Sequence, residues 1–436
     1  MATRAREGRT LMDTKPYTRR TTCRVCGNGR LEPILSLGEL YVTDFVAGDG
    51  SGPPPIVAPL DVVLCDPEAG GCSLLQLSST VSQERLYRQY WYKSSVNQTM
   101  RDALADVTEA AQRLTSLAAG DVVLDIGCND GTLLRSYGIP GLTRVGFEPV
   151  RDFVKEAEVG GNRVINDFFN AEAFLRQFPQ TKAKVVTSIA MFYDLEDPNA
   201  FVADVKRLLT EDGVFIIQQN YLLTMLEQNA FDNIIHEHLE YYSLRSLQHL
   251  LSRHQLEVFD VELNELNGGS FRTAIARAGT RPIHERVRAM ANAEEGLRYR
   301  RAYQAFAERV VRLRTDVASL IKQEVARGKK VYIYGASTRG NTLLQYFGLD
   351  QTLIAAAAER NPIKYGRRTV GTNIPIISEE QARRERPDYF LILPWAFLQE
   401  FLRREAAFLK GGGKFLVPLP EFRIIDSPDE AEIYAA

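Results

Sequence analysis

The sequence predicts an α/β fold in three parts: a small cysteine module, a central domain with an open sheet, and a second α/β domain. Three observations support this prediction. Residues 121–134 read as a short buried strand, a glycine turn and the start of a helix. Residues 330–344 repeat that pattern towards the C-terminus. Four of the five cysteines form two pairs before residue 73, as expected of a module that a metal ion holds together.

Length and composition limit the class of protein. A chain of 436 residues is too long for one compact core, so two or three domains are expected. A formal net charge of −2 and a pI near 6.3 argue against nucleic acid or a membrane surface as the main partner. No apolar run reaches the roughly 18 residues of a membrane-spanning helix, and the start of the chain carries no secretory signal. We therefore expect a cytoplasmic protein with a disordered leader over residues 1–20 and no obligate protein partner.

The cysteine pairs predict a zinc site. Cys23 and Cys26 form a Cys-x-x-Cys pair, and Cys65 and Cys72 form a second, wider pair. Cysteines of a cytoplasmic protein are thiols or metal ligands rather than disulfides. Four thiolates match a closed tetrahedral zinc site, which supplies folding energy and leaves no position open for catalysis. We expect a structural zinc ion in a module over residues 21–85, the alternative being four unrelated thiols.

The central glycine turn predicts a nucleoside cofactor. Gly127 and Gly131 end the strand, with Asn129 between them, and bare backbone there lets a ligand approach closely. The spacing is not the Gly-x-Gly-x-x-Gly of nicotinamide enzymes. It resembles motif I of the class I S-adenosylmethionine methyltransferases, with Asn129 in place of the middle glycine. Glu148 follows at the end of the next predicted strand, where a carboxylate can accept both ribose hydroxyls. The alternative is an ordinary strand-to-helix turn.

This resemblance implies a Rossmann-like, seven-stranded sheet in a domain over residues 86–284. A polar-aromatic corner after the third strand usually faces the adenine in this cofactor class. We predict helices at 99–118 and 198–209 and a third strand that ends at 164–169. Further strands are predicted at 185–190, at 214–220, near Val258 and at 271–276, with a hairpin-type turn at 267–270. The expected S-adenosylmethionine contacts are Asp125, Gly127, Asn129, Asp130, Gly131, Glu148, Asp167, Phe168 and Ala190.

A dense aromatic segment lies between the cysteine module and the central domain. It contains Tyr87, Tyr90, Trp91 and Tyr92, and Ser94 follows directly. These rings could pack the module onto the central domain. They could instead form a wall of the active site, with phenol hydroxyls pointing inward. The sequence leaves both interpretations open.

A second α/β domain occupies the C-terminal part of a region over residues 285–436. Residues 285–327 are charged and helical in pattern, which predicts a solvated connector. The turn after Gly335 offers backbone N–H groups together with Ser337, Thr338 and Arg339, a possible anion cradle. Strands are predicted at 390–395 and 414–418. The alternative is a purely structural repeat of the Rossmann-like pattern.

A histidine-rich loop follows the fifth predicted strand. His236, Glu237 and His238 precede Ser243, which can cap the next helix. The loop therefore lies above the carboxyl ends of the strands. Position 239 is Leu and position 240 is Glu, so this is not the His-Glu-x-x-His of zinc hydrolases. A metal-binding pair and a purely structural loop are possible, but the pattern favours a histidine that acts as a general base beside an acid.

The order of these motifs resembles that of the sugar C-methyltransferases. The shared features are the cysteine pairs, the aromatic segment, the glycine turn, the Glu-His pair and the turn at Gly335. The resemblance implies methyl transfer from S-adenosylmethionine to C-3 of a nucleotide-linked 4-keto-deoxysugar, with His238 as the base and Glu237 beside it. The chain departs from the family at Ile235, where a tyrosine is frequent. A histidine that is common after the fourth strand is replaced around Tyr193 and Asp194.

Methyl transfer to a carbon next to a ketone is chemically reasonable for these residues. A proton on the carbon next to a ketone is acidic because the enolate places its charge on oxygen, and hydroxyls of Tyr90 or Tyr92 could hydrogen-bond that oxygen. His236 is a further candidate base, and the transfer needs no metal. An O- or N-methyltransferase and a non-catalytic S-adenosylmethionine-binding protein are the alternatives. The expected substrate contacts are Ser94, Asn220, Tyr242, Gly335, Ser337 and Arg339.

Overall fold

The computed structural model describes residues 15–51, 54–87, 93–96 and 98–428. Most of the predicted leader, residues 1–14, lies outside the described residues. The predicted disorder does not extend to residue 20, because residues 17–19 form a strand. The first part of the chain contains β1 (Tyr17–Arg19), β2 (Leu31–Tyr41), β3 (Phe45–Ala47), β4 (Val57–Cys65), β5 (Leu75–Leu77), β6 (Ser79–Val81) and α1 (Gln83–Leu86).

The central part alternates strands and helices, as predicted from its apolar runs and glycine turns. Its elements are α2 (Gln98–Leu114), β7 (Val122–Ile126), α3 (Thr132–Arg135), β8 (Thr143–Phe147), α4 (Arg151–Ala157), β9 (Arg163–Ile165), α5 (Ala171–Gln177), β10 (Ala183–Ile189), α6 (Pro198–Leu208), β11 (Leu209–Asn220), α7 (Leu222–Glu227), β12 (Glu240–Tyr241), α8 (Leu244–Ser252), β13 (Leu256–Asn264) and β14 (Ser270–Arg277).

The predicted seven-stranded sheet is confirmed. Its order is β13-β14-β11-β10-β7-β8-β9, with β14 antiparallel to both neighbours and the other neighbouring strands parallel. The hairpin turn before Ser270 is also confirmed, and Asn267, Gly268 and Gly269 all have positive φ there. The strand order reverses between β7 and β10. A ligand is expected at the carboxyl ends of the strands at such a switch point.

The C-terminal part forms a second, six-stranded sheet. Its order is β18-β16-β15-β19-β20-β21, parallel except for β21. The elements are α9 (Glu285–Ala293), α10 (Arg300–Ala326), β15 (Val331–Tyr334), α11 (Thr338–Phe347), β16 (Ala357–Glu359), β17 (Arg367–Thr369), β18 (Ile376–Ser378), α12 (Glu379–Glu385), β19 (Tyr389–Ile392), α13 (Leu398–Arg404), α14 (Ala406–Lys410), β20 (Lys414–Val417) and β21 (Arg423–Ile425).

The prediction of a solvated connector was wrong for α10. One face of this long helix is buried in an apolar cluster. The same cluster contains Leu60 of β4, in the N-terminal part, and Ile333 of β15, in the C-terminal sheet. Its buried residues recur every three or four positions, which places them on one helical face. They are Tyr303, Phe306, Val310, Leu313, Val317 and Ile321.

Strands from both larger parts extend the N-terminal module. β12 of the central part pairs with β5, which makes a four-stranded sheet of order β12-β5-β4-β2. β17 of the C-terminal part pairs with β3. The module therefore connects the two larger parts by backbone hydrogen bonds on either side, and the domain boundaries after residues 20, 85 and 284 remain predictions. Within the described residues, no helix has the length and apolar character needed to cross a membrane.

Candidate active site

One cavity of about 480 Å³ lies between the central sheet and the first turn of α11. This volume is in the range of small-molecule sites. The central part contributes the glycine turn after β7, the ends of β8, β9 and β10, and the loop before β12. The C-terminal part contributes Ser337, Thr338, Arg339 and residues 393–397. The packing of the two parts therefore encloses a single cleft.

The glycine turn after β7 has the backbone geometry that a nucleoside cofactor needs. Gly127, Asn129 and Gly131 have φ values of 75°, 50° and 76°. Asparagine is one of the few side-chain-bearing residues that adopt this left-handed conformation readily, which explains Asn129 at a position where glycine is usual. A Cβ at Gly131 would lie 2.6 Å from the carbonyl oxygen of Ala157. This third position therefore requires glycine for packing, while Gly127 and Asn129 line the cavity.

Glu148 closes the far side of the turn. Its Oε2 accepts a hydrogen bond from the Asn129 N–H (2.8 Å), and its Oε1 accepts one from the Val150 N–H (2.7 Å). Burial raises the pKa of this carboxyl to about 7. Each carboxylate oxygen can accept a second hydrogen bond. Glu148 lines the cavity and so remains available to ribose hydroxyls.

Two predicted contacts, Asp125 and Asp130, support the turn from outside the cavity. Asp125 accepts a hydrogen bond from the Thr187 hydroxyl (2.6 Å), and burial raises its pKa to about 7. Asp130 accepts hydrogen bonds from the Ser95 N–H (2.8 Å) and from the hydroxyl of Thr132 (2.6 Å). Neither residue lines the cavity. Their position supports a role in shaping the turn rather than in direct contact with the cofactor.

The corner after β9, which contains Asp167 and Phe168, also lines the cavity. Asp167 accepts the N–H of Phe168 (2.8 Å), and the Phe168 side chain is 37% exposed, so its ring is open to a planar ligand. Ala190 has a φ of 53° and donates its N–H to the carbonyl oxygen of Gln218 (2.8 Å). Such strain in a residue with a side chain is frequent at functional sites.

His238 lies in the loop before β12 and lines the cavity. Its Nδ1 is 2.9 Å from the carbonyl oxygen of Asn233. Because a carbonyl can only accept, Nδ1 carries the proton of the neutral ring and Nε2 keeps its lone pair. Burial, and then the charge of Arg339, lower the pKa of His238 to about 3. The imidazole is therefore neutral at pH 7, and its ring centroid lies 4.3 Å from that of Tyr193.

Glu237 lines the same cavity, and its pKa is higher than that of the adjacent His238. Burial, and then the charge of Asp44, raise its pKa to about 7, whereas Arg339 lowers it. A carboxylate with this pKa is half ionised at neutral pH. The loop thus presents two proton acceptors side by side.

Three predicted residues do not reach the cavity. The Nε2 of His236 is 2.9 Å from the carbonyl oxygen of Ala58, which directs this ring towards the N-terminal module. Asn220 donates to the side chain of Asn233, and Tyr242 donates its hydroxyl to Glu240 (2.9 Å). The predicted contacts of His236, Asn220 and Tyr242 with substrate are therefore unsupported, because neighbouring polar groups hold all three side chains outside the cleft.

The predicted anion cradle after β15 is largely filled by the protein's own acceptors. The N–H groups of Gly335, Ala336 and Gly340 donate to Ala358 O (2.8 Å), Glu359 Oε2 (3.0 Å) and Ser337 Oγ (3.0 Å). Gly335 itself does not line the cavity, since Pro394 occupies the space in front of it. Of the predicted cradle, Ser337, Thr338 and Arg339 line the cleft.

Arg339 is the cation of the cavity's C-terminal wall. Its guanidinium is 3.4 Å from the carbonyl oxygen of Asn267 and 3.9 Å from Oδ2 of Asp232. Trp395 donates its indole N–H to the same Asp232 oxygen (3.3 Å). A distance of 3.9 Å is long for an ion pair. The Arg339 guanidinium can therefore also contact an anionic ligand.

Among the cavity-lining residues that the sequence did not predict are three with side chains suited to polar contacts: Asp194, Asp232 and Trp395. Asp194 stood out only as a departure from the family, and nothing in the local sequence marks Asp232. Ser94 does line the cavity, and its N–H donates to the Asn129 side chain (3.1 Å). Tyr90 and Tyr92 lie outside the described residues, so both interpretations of the aromatic segment stay open.

The four paired cysteines converge on one point. Their sulfur atoms all lie within 4.8 Å of one another, with Cys23–Cys72 at 3.5 Å and Cys26–Cys65 at 3.4 Å. A tetrahedral zinc ion with Zn–S bonds of about 2.3 Å has S···S edges of about 3.8 Å, so the donor set fits zinc. Hydrogen bonds among the four thiols lower the pKa values of Cys23 and Cys26 and raise those of Cys65 and Cys72, as expected of sulfur atoms that share one site.

Comparison with known proteins agrees with this architecture. Three family profiles match in order: a zinc binding domain over residues 23–87, a methyltransferase domain over residues 92–261 and a C-methyltransferase C-terminal domain over residues 265–420. The chain is an S-adenosylmethionine-dependent class I methyltransferase with a zinc-binding module. It is also 33% identical over 414 residues to the C-methyltransferase NovU of Streptomyces niveus, with coverage of 93% of this chain and 97% of NovU. The protein belongs to the C-methyltransferase family and transfers a methyl group to carbon.

Two solved methyltransferase structures resemble part of the chain. A methyltransferase from Clostridium acetobutylicum is 15% identical and has a TM-score of 0.33, with coverage of 42% of this chain and 94% of its own. The plantazolicin methyltransferase BpumL in complex with SAH is 12% identical, also with a TM-score of 0.33, over 41% and 84% of the two chains. Scores this low add nothing to the family assignment.

Proposed function

We propose that the protein methylates C-3 of a nucleotide-linked 4-keto-deoxysugar. The observation that supports this proposal most is that one cavity holds the glycine turn with Glu148, the Glu237–His238 pair and the cation Arg339. A C-methyltransferase needs a carbon acid, and a ketone next to a C–H bond is one. A base, a methyl donor and an anion-binding group then suffice for a nucleotide-linked keto sugar.

In this proposal S-adenosylmethionine lies over Gly127 and Asn129. Glu148 accepts its ribose hydroxyls, and Asp167 and Phe168 lie near its adenine. The cofactor supplies an electrophilic methyl group when it is bound. Ala190, held in its strained conformation, lines the floor of the same pocket.

His238 is the proposed base. Its neutral ring keeps the Nε2 lone pair free, since Nδ1 is committed to the Asn233 carbonyl oxygen. The low pKa of His238 weakens this base. Part of that lowering comes from Arg339, so an anionic substrate at Arg339 would raise the basicity of His238 when it is needed. Glu237, with its pKa of about 7, is the second candidate for the same step.

The C-terminal wall is the proposed site of the nucleotide diphosphate. Arg339 supplies the charge, and Ser337 and Thr338 extend the polar surface at the first turn of α11. The backbone at Gly335, Ala336 and Gly340 contributes little, because these three N–H groups already donate to acceptors of the protein. We therefore assign the anion contact to the Arg339 side chain.

A solvent-exchange experiment tests the substrate and the base together. Wild-type protein is incubated in deuterated water with S-adenosylhomocysteine and each of a panel of nucleotide 4-keto sugars, and C-3 is followed by NMR. Deuterium should enter C-3 of at least one sugar. His238→Asn should slow exchange and methyl transfer by about 10²–10⁴-fold, with unchanged S-adenosylmethionine affinity. Methyl transfer at the wild-type rate in this variant would reject His238 as the base, and transfer to none of the sugars would reject the substrate class.

A further inference from the structure

Asp194 is an acidic residue in the cavity that the steps above do not use. It follows β10, four residues after the strained Ala190, and lines the same cavity as Glu237 and His238. Its Oδ1 is buried and makes no hydrogen bond of standard geometry among the residues that the structure describes, although the Tyr87 side chain lies close enough to the carboxyl group to lower its pKa. Buried carboxyl oxygens nearly always have a partner. An unpaired one at the edge of a ligand cavity suggests that the ligand provides the partner.

The segment around Asp194 is fixed against the loop that carries the base. The N–H of Leu239 donates to the carbonyl oxygen of Tyr193 (2.9 Å), and the Tyr193 ring packs on the His238 ring. The backbone of Asp194 is held by hydrogen bonds to Met191 (3.0 Å) and from the Gln83 side chain (3.3 Å). Asp194 therefore keeps a constant position relative to His238, as a group that acts on the same substrate atoms must.

The surroundings of Asp194 favour its protonated form. Burial, and then the charges of Glu237 and Glu240, raise the pKa of this carboxyl well above its usual range, while Tyr87 and Arg339 act in the opposite direction. A protonated carboxyl group carries an O–H donor. Acids kept neutral by an apolar site are effective hydrogen-bond donors to developing oxyanions.

We propose that Asp194 is a catalytic hydrogen-bond donor to the C-4 oxygen of the keto sugar. The inference rests on the proposed function. When the base takes the proton from C-3, the C–H electron pair forms the C-3–C-4 double bond and the negative charge moves to the C-4 oxygen. The O–H of Asp194 donates to that oxygen. As the new C–C bond forms and the sulfur–methyl bond breaks, the ketone is restored and Asp194 keeps its proton.

The test compares two substitutions at one position. Asp194→Asn retains similar size and an N–H donor, whereas Asp194→Ala removes the donor. The readout is solvent deuterium at C-3 of the accepted keto sugar with S-adenosylhomocysteine, and calorimetry checks cofactor affinity. Removal of one oxyanion donor typically costs about 10²–10³ in rate. We expect that loss in Asp194→Ala, a loss of less than about tenfold in Asp194→Asn, and unchanged cofactor affinity in both.

The outcomes separate this proposal from the one on which it rests. Wild-type exchange rates in Asp194→Ala would reject Asp194 as the donor and leave the proposed function intact. Equal, large losses in both variants would show that the ionised carboxylate is required, which also rejects a donor role. If wild-type protein neither exchanges C-3 nor methylates any of the sugars, the proposed function is rejected and the role of Asp194 with it. If the alanine variant fails to fold, Asp194→Leu, which fills the site but cannot donate, serves in its place.

Discussion

The protein contains two strand–glycine–helix units, the first at Gly127 between β7 and α3 and the second at Gly335 between β15 and α11. They have the same local design but different surroundings. In each, the second strand ends in a glutamate whose Oε2 accepts a backbone N–H from the glycine turn: Glu148 from Asn129 (2.8 Å) and Glu359 from Ala336 (3.0 Å). Glu148 lines the cavity. Glu359 does not, and it also accepts the N–H groups of Arg360 and Asn361 and lies 3.4 Å from Lys364 Nζ.

The difference indicates that a glycine turn can form a binding site only where its glycine and its glutamate are accessible from a cavity, as Gly127 and Glu148 are. Met191 is the nearest neighbour in front of Gly127, at 3.2 Å from a Cβ placed there. In front of Gly335 the corresponding distance, to Pro394, is 2.7 Å. The second unit therefore has no room over its turn. Its contribution to the site is one helix end with Arg339.

The largest expected effect concerns the module that joins both units. Cys72→Ser should lose zinc and unfold the module, because structural zinc contributes an apparent 10–16 kcal/mol of folding free energy in small domains. Because four thiolates bind one zinc ion, metal analysis should find about one zinc per chain in wild type and much less in the variant. Cys128→Ala is the matched control, since Cys128 lies outside the cluster, and it should retain zinc. A metal-free protein with unchanged thermal stability would contradict the structural role.

Paired substitutions test the contrast between the two glutamates directly. Glu148→Ala should weaken S-adenosylmethionine binding by about 10- to 150-fold, since a hydrogen bond to a charged group is worth roughly 1.5–3 kcal/mol. Glu359→Ala removes comparable backbone contacts but no ligand contact, so cofactor affinity should not change while thermal stability falls. Calorimetric titration of both proteins decides the matter. Equal losses of affinity would mean that fold stability, not ribose binding, explains the effect at Glu148.

Arg339 tests what the second unit contributes. Arg339→Ala should weaken binding of a nucleotide diphosphate by about tenfold, as expected for loss of one charge-assisted hydrogen bond, and leave S-adenosylmethionine binding unchanged. Arg360→Ala is the control, because Arg360 is in the same unit, points to Glu400 and lies outside the cavity. If both variants bind the nucleotide as wild type does, the diphosphate lies elsewhere.

The smallest expected effect is a pH dependence. With a pKa of about 7, Glu237 is protonated below neutrality, so turnover that needs its carboxylate should rise with pH and reach half its maximum near pH 7. Glu237→Gln should lack this acidic limb. If His238 alone, with its pKa of about 3, sets the profile, wild type should show a flat rate from pH 5.5 to 8.

The fold was predictable where the signals are local. Apolar runs, glycine turns and Ser243, which caps α8 as expected, all act over a few residues. They predicted the seven strands of the central sheet and three of the six strands of the second sheet, namely β15, β19 and β20. The role of α10 was not predictable in this way. Its charged residues suggested a solvated helix, but the residues at every third or fourth position pack against both neighbouring parts, and no local feature reveals those partners.

The sequence by itself determined the chemistry that each turn and pair can offer: a cofactor turn at Gly127, a zinc site at four cysteines, a Glu-His pair above the strand ends. The tertiary structure alone decided which of these groups meet. It directs the His236 ring towards the N-terminal module, places Pro394 in front of Gly335 and brings Asp194 into the cavity that His238 also lines. The reason is physical: backbone conformation follows from neighbouring residues, whereas the position of a side chain in a cleft depends on packing between elements far apart in the chain.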